Sequence, residues 1–430
     1  MFEPKLMMTS MPTLTSSRDP DEFVPTAQSE LERFLAENFA GPKRALEPAG
    51  GRTALDFGGP RYNQAVTIDM TCLNRIVDFP ARDMTVTVEA GIPIDRLAEV
   101  LKAEGQRLPI DVAQSSRATL GGAVATNTSG PRRFGCGTFR DYVIGLTAMT
   151  AEGRVFHSGG RVVKNVAGYD LCKLLVGSLG TLAVVTQLTL KLKPLPESSV
   201  LIWTSFEKLA DRDAAVGDLL TSQTRPVAIE TLNPSAAALI EDQARAGLRT
   251  DASLLLIGFE GSARETNWQT ETLRHELEVH HAGEFSVVRG ENAGRLWTAL
   301  TEFAVCSEEL LPFQANLLPS KVATFEERAS RLGIATLSHA GDGTVVGKRA
   351  EAEREQPEAA ELRAPLEVAA SQCGGSFVPF HGDPRWQGTS PAHGGALGAW
   401  SLMQKLKQAF DPADLLNPGR MFPRDIAPNR

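Results

Sequence analysis

Three short glycine-bearing segments punctuate a first half otherwise rich in Val, Ile and Thr: Pro48-Ala49-Gly50-Gly51-Arg52-Thr53, Thr119-Leu120-Gly121-Gly122 with Asn127 and Gly130 behind it, and Gly177-Ser178-Leu179-Gly180-Thr181. Glycine reaches φ > 0 without strain and lets backbone approach backbone or a ligand closely. Such turns can aim several amides at one point and cradle an anion such as a pyrophosphate. Any one of them alone reads more readily as a plain turn.

The texture around these turns fixes the local elements. Leu31, Phe34, Leu35 and Phe39 share one face of a helix starting at Gln28, after which Ala65–Asp69, Arg75–Phe79 and Met84–Val88 read as short strands. Pro93 opens a helix whose Ile94, Leu97, Ala98 and Leu101 share a face and which stops at Gly105. A β stretch over Thr181–Leu192 is broken by Pro194 and Pro196, which mark a boundary. Beyond it, Leu201–Thr204 and Ser253–Phe259 read as strands, Ser235–Ala246 and Glu265–His280 as helices, and Gly347–Pro365 as charged and helical. That mixture predicts a sheet backed by helices. Leu402, Leu406 and Phe410 predict a last helix, ended by Asp411-Pro412.

A chain of 430 residues exceeds one compact unit. The expected division is a flexible Ser/Thr/Pro-rich tail over 1–25, a first domain over 26–197, a second over 198–395, and a carboxy-terminal helix and tail over 396–430 that return to the first. The net charge of −8 supplies no basic field for nucleic acid or an anionic membrane. No apolar run is long enough to span a bilayer. The five cysteines form no C-x-x-C pair, which argues against a zinc or iron–sulfur site in this chain and for reduced thiols in the cytosol.

The order of the glycine segments and the sequence between them, over Arg44 to Pro196, resembles the FAD-binding domain of the vanillyl-alcohol-oxidase/p-cresol-methylhydroxylase family. The resemblance implies an α+β fold: a PCMH-type FAD domain of two subdomains, then an α+β cap domain. It places Gly50, Gly51, Arg52, Thr53, Thr119, Leu120, Gly121, Gly122, Asn127, Gly130, Gly180, Val184 and Asn417 along the cofactor. Within the family, Val163-Lys164-Asn165-Val166-Ala167-Gly168-Tyr169-Asp170-Leu171 and the ending from Phe410-Asp411-Pro412 to Asn417-Pro418-Gly419-Arg420-Met421-Phe422 resemble the glycolate oxidase group. Gly130-Pro131-Arg132-Arg133 and Arg140-Asp141 point to its smaller FAD-binding subunit type. Tyr169 and Asp170 read equally as a buried hydrogen-bonded pair with a structural task.

Catalytic 2-hydroxyacid dehydrogenases of the family carry His-x-Gly-Asp-Gly-Asn-x-His and Glu-His-Gly strings that hold a divalent metal. Here those strings read His339-Ala340-Gly341-Asp342-Gly343-Thr344-Val345-Val346 and Pro379-Phe380-His381-Gly382. Val346 and Phe380 cannot donate to a metal, so none is expected. His339 and His381 remain as the catalytic candidates, an imidazole of near-neutral pKa being suited to take a hydroxyl proton. The family's usual flavin-linking His is replaced by Arg52 and Thr53, so FAD is expected to be noncovalent, with Cys136 the thiol to check for a second linkage.

The resemblance further implies oxidation of a small 2-hydroxy acid, and an assembly with a catalytic FAD subunit and an iron–sulfur subunit, cytoplasmic or peripheral to the inner membrane through those partners. A flavin-bearing structural or electron-relay subunit without turnover of its own is the competing reading.

Overall fold

The computed structural model describes residues 21–55, 57–59, 61–62, 64–160, 169–305, 311–350, 359–380 and 398–422. The amino-terminal part consists of two lobes. In the first, strands Glu22–Phe23, Val66–Asp69 and Leu46–Ala49 form a parallel sheet with Val66–Asp69 in the middle. Helix Gln28–Ala40 buries Leu31 and Leu35 in the same apolar cluster as Leu46, Val66 and Ile68. In the second, five antiparallel strands are ordered Ile76–Asp78, Thr85–Glu89, Val184–Lys191, Val143–Met149, Val155–Gly159. Val86, Val88, Leu188 and Leu190 pack with Leu97 and Leu101 of helix Ile94–Ala103 and with Leu120 and Val124 of helix Leu120–Thr126.

The chain leaves this region through Lys193–Pro194, paired with Gln106–Arg107, and enters an eight-stranded antiparallel sheet at Ser198–Phe206. Consecutive side chains of a strand face opposite ways, yet Val200 through Trp203 are all buried. The reason is that helices cover both faces. Leu201 and Trp203 meet helices Pro234–Ala244 and Gly290–Glu302, while Val200 and Ile202 meet Leu209–Leu219 and Ala263–Glu278. The fold is the α+β arrangement expected: a two-lobed domain followed by a helix-backed sheet.

One reading needs correction. Gly347–Pro365 is not one helical stretch. Thr344–Arg349 is a strand, its Val345 and Val346 buried between neighbours, and the described helix is Ala359–Gln372 with Pro365 inside it. In the last helix, Trp400–Phe410, Leu402 is exposed and the buried side chain is Lys407. Its Nζ donates to the carbonyls of Thr181 (2.9 Å) and Leu416 (3.0 Å) and pairs with Asp411 (2.6 Å). The chain then lays Leu416 beside Leu46 in a parallel bridge, with Leu46 N donating to Leu415 O and Asn417 N to Leu46 O.

The two parts are clamped by buried charge. Arg132 stacks on Trp297, 3.8 Å from the ring centroid, and pairs with Asp111 (2.5 Å) and Glu260 (2.7 Å). Glu260 also pairs with Arg107. Gln114 N donates to Glu302 of the second part (2.7 Å).

Candidate functional site

The glycine segments meet where the two amino-terminal lobes join. Beyond strand Leu46–Ala49 the backbone runs against Arg117–Thr119 so closely that a Cβ on Gly51 would overlap the Arg117 carbonyl, and one on Gly50 the Thr119 hydroxyl. Thr119 caps helix Leu120–Thr126 by accepting from Gly122 N (3.4 Å). The third segment hooks onto the far end of that helix, with Gly177 N donating to Val124 O (3.0 Å) and Leu179 N to Ala125 O (2.8 Å). Asn417, returning from the carboxy-terminal segment, donates its Nδ2 to Leu179 O (2.8 Å). Arg52, Asn127, Leu179, Gly180 and Asn417 all adopt the left-handed conformation that such tight apposition requires.

Together these backbones floor a cavity of about 700 Å³, a volume suited to a large organic ligand. Gly50, Gly51, Arg52, Thr53, Thr119, Gly121 and Gly122 line it, and so do Asn127, Gly130, Gly180, Val184 and Asn417. Leu120 does not. It is wholly buried in the second lobe's core, because the first turn of its helix packs that side chain against the sheet.

The eight-stranded sheet supplies the opposite wall with Gln314, Asn316, His339, Val346, Val378 and Phe380. His339 ends strand Ile334–His339 and is the register partner of Glu230 on strand Ala228–Leu232. His339 Nδ1 lies 2.7 Å from Glu230 Oε2, both side chains buried. Burial drives the two in opposite senses. It raises the Glu230 carboxyl well above the usual carboxylate range, with Asp342 and Asp111 adding to it, and it lowers the His339 imidazole to about 4, helped by the Arg133 charge.

Arg133 reaches the same wall from the first part. It opens the short helix Arg133–Cys136, which docks on the eight-stranded sheet through Gly135 N to Val227 O (3.0 Å). The next residue, Phe134, lies so close to Gly341 that a Cβ there would overlap its ring. This fixes Arg133 beside the turn that carries His339 and Asp342, its Nε 3.4 Å from Asp342 Oδ2.

Residues 24–159 match the FAD binding domain family, and residues 195–421 match the family described as FAD linked oxidases, C-terminal domain. The chain belongs to the FAD-linked oxidases. Glycolate oxidase subunit GlcD of Bacillus subtilis is 29% identical over 88% of this chain and 84% of its own. The mitochondrial D-lactate dehydrogenase [cytochrome] of Arabidopsis thaliana is 28% identical over 95% of this chain and 74% of its own. Glycolate oxidase subunit GlcE of Escherichia coli is 34% identical, over 44% of this chain and 53% of its own. Among solved structures, alkyldihydroxyacetonephosphate synthase superposes with a TM-score of 0.68 at 17% identity, over 92% of this chain and 76% of that one, which is a likeness of fold.

The FAD-linked oxidase assignment makes FAD the cofactor, and the floor suits it on its own terms. Gly50 and Gly51 leave no space for a Cβ, and among the described residues no protein acceptor pairs with the backbone N–H groups of Gly50, Gly51, Arg52 or Thr53. Asn127 Oδ1 is also buried without a partner among them. Donors and acceptors left open on a cavity wall call for a polar ligand.

Other expectations meet the structure less directly. Cys136 lines a separate cavity with Lys193 and Glu260, and burial raises its thiol pKa, so it does not face the main cavity. Tyr169 is 95% exposed rather than buried, and Asp170 caps helix Leu171–Leu175 by accepting from Lys173 N (3.2 Å). Residues 163–168 of that motif, and His381, lie outside the described residues. Val346 and Phe380 place apolar surface on the cavity wall, and among the described residues no group of three His, Cys, Asp or Glu could hold a metal. No described helix is long and apolar enough to cross a membrane.

Glu230 escaped the sequence reading. It sits in Ala228-Ile229-Glu230-Thr231-Leu232, an ordinary half-apolar strand, and only the register against His339 makes it part of the site.

Proposed function

We propose that this FAD-linked oxidase oxidises a small 2-hydroxy acid to the 2-oxo acid in the cavity between the glycine floor and the His339 wall. In this reading residues 26–197 are the FAD domain, 198–395 the cap and 396–430 the returning tail. The observation that carries it is the buried Glu230–His339 pair, a proton relay on the wall of a cavity whose floor fits FAD. The twelve floor residues from Gly50 to Asn417 would hold the cofactor noncovalently. When bound, FAD supplies the two-electron acceptor for the α-hydride.

The chain's own part is the proton. With Glu230 ionised, Nδ1–H of His339 donates to the carboxylate and Nε2 offers its lone pair. The substrate hydroxyl gives its proton there as the carbonyl forms. Glu230 holds the ring's orientation and balances the imidazolium charge.

Similarity to chains named as subunits of glycolate oxidase supports a place in an assembly with a catalytic FAD subunit and an iron–sulfur subunit that takes the electrons onward, cytoplasmic or peripheral to the membrane through those partners. The match to GlcE and the apolar Val346 and Phe380 favour a second reading, a flavin-bearing relay without turnover of its own. The visible spectrum of the FAD-loaded chain under anaerobic glycolate, then D-lactate, separates the two. Bleaching by either acid supports the enzyme, and a flavin that stays oxidised supports the relay.

A further inference from the structure

We propose that Arg133 is the carboxylate anchor of this site, and that the acid it accepts is a monocarboxylate with a small apolar substituent. The inference rests on the hydroxyacid reading above and adds which residue recognises the acid and which acids are refused.

A carboxylate entering a cavity loses water and must gain a charged partner. Four cations line this cavity among the described residues: Arg52, Arg117, Arg133 and Arg420. Three belong to the floor segments rather than to the His339 turn. Arg52 pairs with Glu22 and Asp69, Arg117 donates to Gln114, and Arg420 donates to the carbonyls of Gly59 and Leu55. Arg133 is the cation beside the His339 turn, close enough to disfavour a proton on that imidazole.

Its internal bonding is incomplete. One Nη donates to Ser129 Oγ (3.1 Å), while Nε, though buried, makes no hydrogen bond among the described residues. The facing Asp342 Oδ2 is likewise buried without one, the pair standing 3.4 Å apart. A guanidinium offers five donors in a planar fork matched to a carboxylate. Here Nε is turned to Asp342 and one Nη to Ser129, so among the described residues the second Nη is left for a ligand, and the Phe134–Gly341 contact holds the group at the cavity wall.

The rest of the wall argues for one carboxylate. Among the described residues the cap contributes no Lys or Arg to the cavity, and with His339 it presents the apolar Val346, Val378 and Phe380 and the uncharged Thr344, Gln314 and Asn316. A second carboxylate would find no cationic partner on this wall among the described residues.

The test is calorimetric titration of the FAD-loaded full-length chain with 2-hydroxyisobutyrate, which keeps the hydroxyl and carboxylate but has no α-hydrogen to lose. Its amide and the dicarboxylate citramalate serve as controls. Wild type is expected to bind the acid at least about tenfold more tightly than either, the worth of a charge-assisted hydrogen bond. Arg133→Met is expected to abolish the preference over the amide, and Arg133→Lys to restore it in part. Asp342→Asn, which frees the guanidinium, is expected to tighten acid binding and carries the test if Arg133→Met fails to fold. Arg133→Met binding the acid as wild type does would overturn the anchor and leave the hydroxyacid reading standing. Citramalate binding as tightly as the monoacid would overturn the stated selectivity. Wild type binding neither acid nor amide would overturn the hydroxyacid reading and the anchor with it.

Discussion

Glu230 and His339 face each other across adjacent antiparallel strands, joined by a 2.7 Å hydrogen bond, with burial favouring the neutral form of each. A protonated Glu230 donates to Nδ1 and leaves Nε2 carrying hydrogen, useless as a base. Loss of that proton turns Nε2 into an acceptor. The rate of flavin reduction should therefore rise with pH as Glu230 ionises, above its usual carboxylate range, with no further step down to about pH 4, where His339 itself would gain a proton. Glu230→Gln should remove the rise and slow the alkaline plateau by about 10²-fold. Anaerobic stopped-flow across pH reads both, and an unaltered profile in the variant would assign the base elsewhere, with His381 next to test.

Gly51→Ala should cost the protein its flavin while leaving it folded. The new Cβ meets the Arg117 backbone, which cannot rotate away, so the loops must part at about 1–3 kcal/mol of overpacking. Gly50→Ala, whose Cβ meets the movable Thr119 side chain, should retain more. Flavin-to-protein ratios after gel filtration compare them, and equal retention by Gly51→Ala and wild type would refute the close-approach account.

Glu260→Gln should destabilise the protein by about 3 kcal/mol, because it strips buried Arg132 of one partner and leaves Arg107 without its own. Burial alone would raise the Glu260 carboxyl, but Arg107 and Arg132 outweigh it and hold it below the ordinary value. A carboxylate with a lowered folded pKa contributes stability that is present above its unfolded pKa and lost as pH falls through the folded one. Denaturant unfolding between pH 7 and pH 3 should show wild type losing its advantage over the variant at the acid end. A constant difference would contradict this.

Lys407→Met should loosen the carboxy-terminal segment, exposing it to limited proteolysis and weakening flavin retention. The ammonium is buried and bonded to Thr181, Asp411 and Leu416, so its loss leaves the buried Asp411 without its cation and unties the turn that carries Gly180. Uncoupled behaviour, with faster cleavage but full flavin, would show that Asn417 and Arg420 hold the floor unaided.

Features set by local chemistry are legible in the amino-acid sequence: the glycine floor, the helices opened at Gln28 and Pro93, and the first domain's strands. Each depends on residues close in sequence. What is not legible depends on packing between distant segments. Lys407 became the buried face of its helix because Thr181, distant in sequence, offers a carbonyl there. Thr344–Arg349 became a strand because Phe313–Asn316 and Ile334–His339 flank it, although charged sequence follows. Glu230 lies in no motif, and the Gly130-Pro131-Arg132-Arg133 string does not tell that Arg133 reaches the His339 turn. The first is defined by strand register, the second by the fit of Phe134 on Gly341.

The pairing of Leu416 with Leu46 sets an order of events in biosynthesis. The parallel sheet that leads into Gly50 and Gly51 stays one neighbour short, and the Gly180 turn stays unlatched, until Leu416 and Asn417 have left the ribosome. A nascent chain can build most of its cofactor domain early, but the floor closes only after the whole cap has been made. With FAD placed as proposed, flavin capture should wait for the second domain, and a chain cut just before Leu416 should leave the site open.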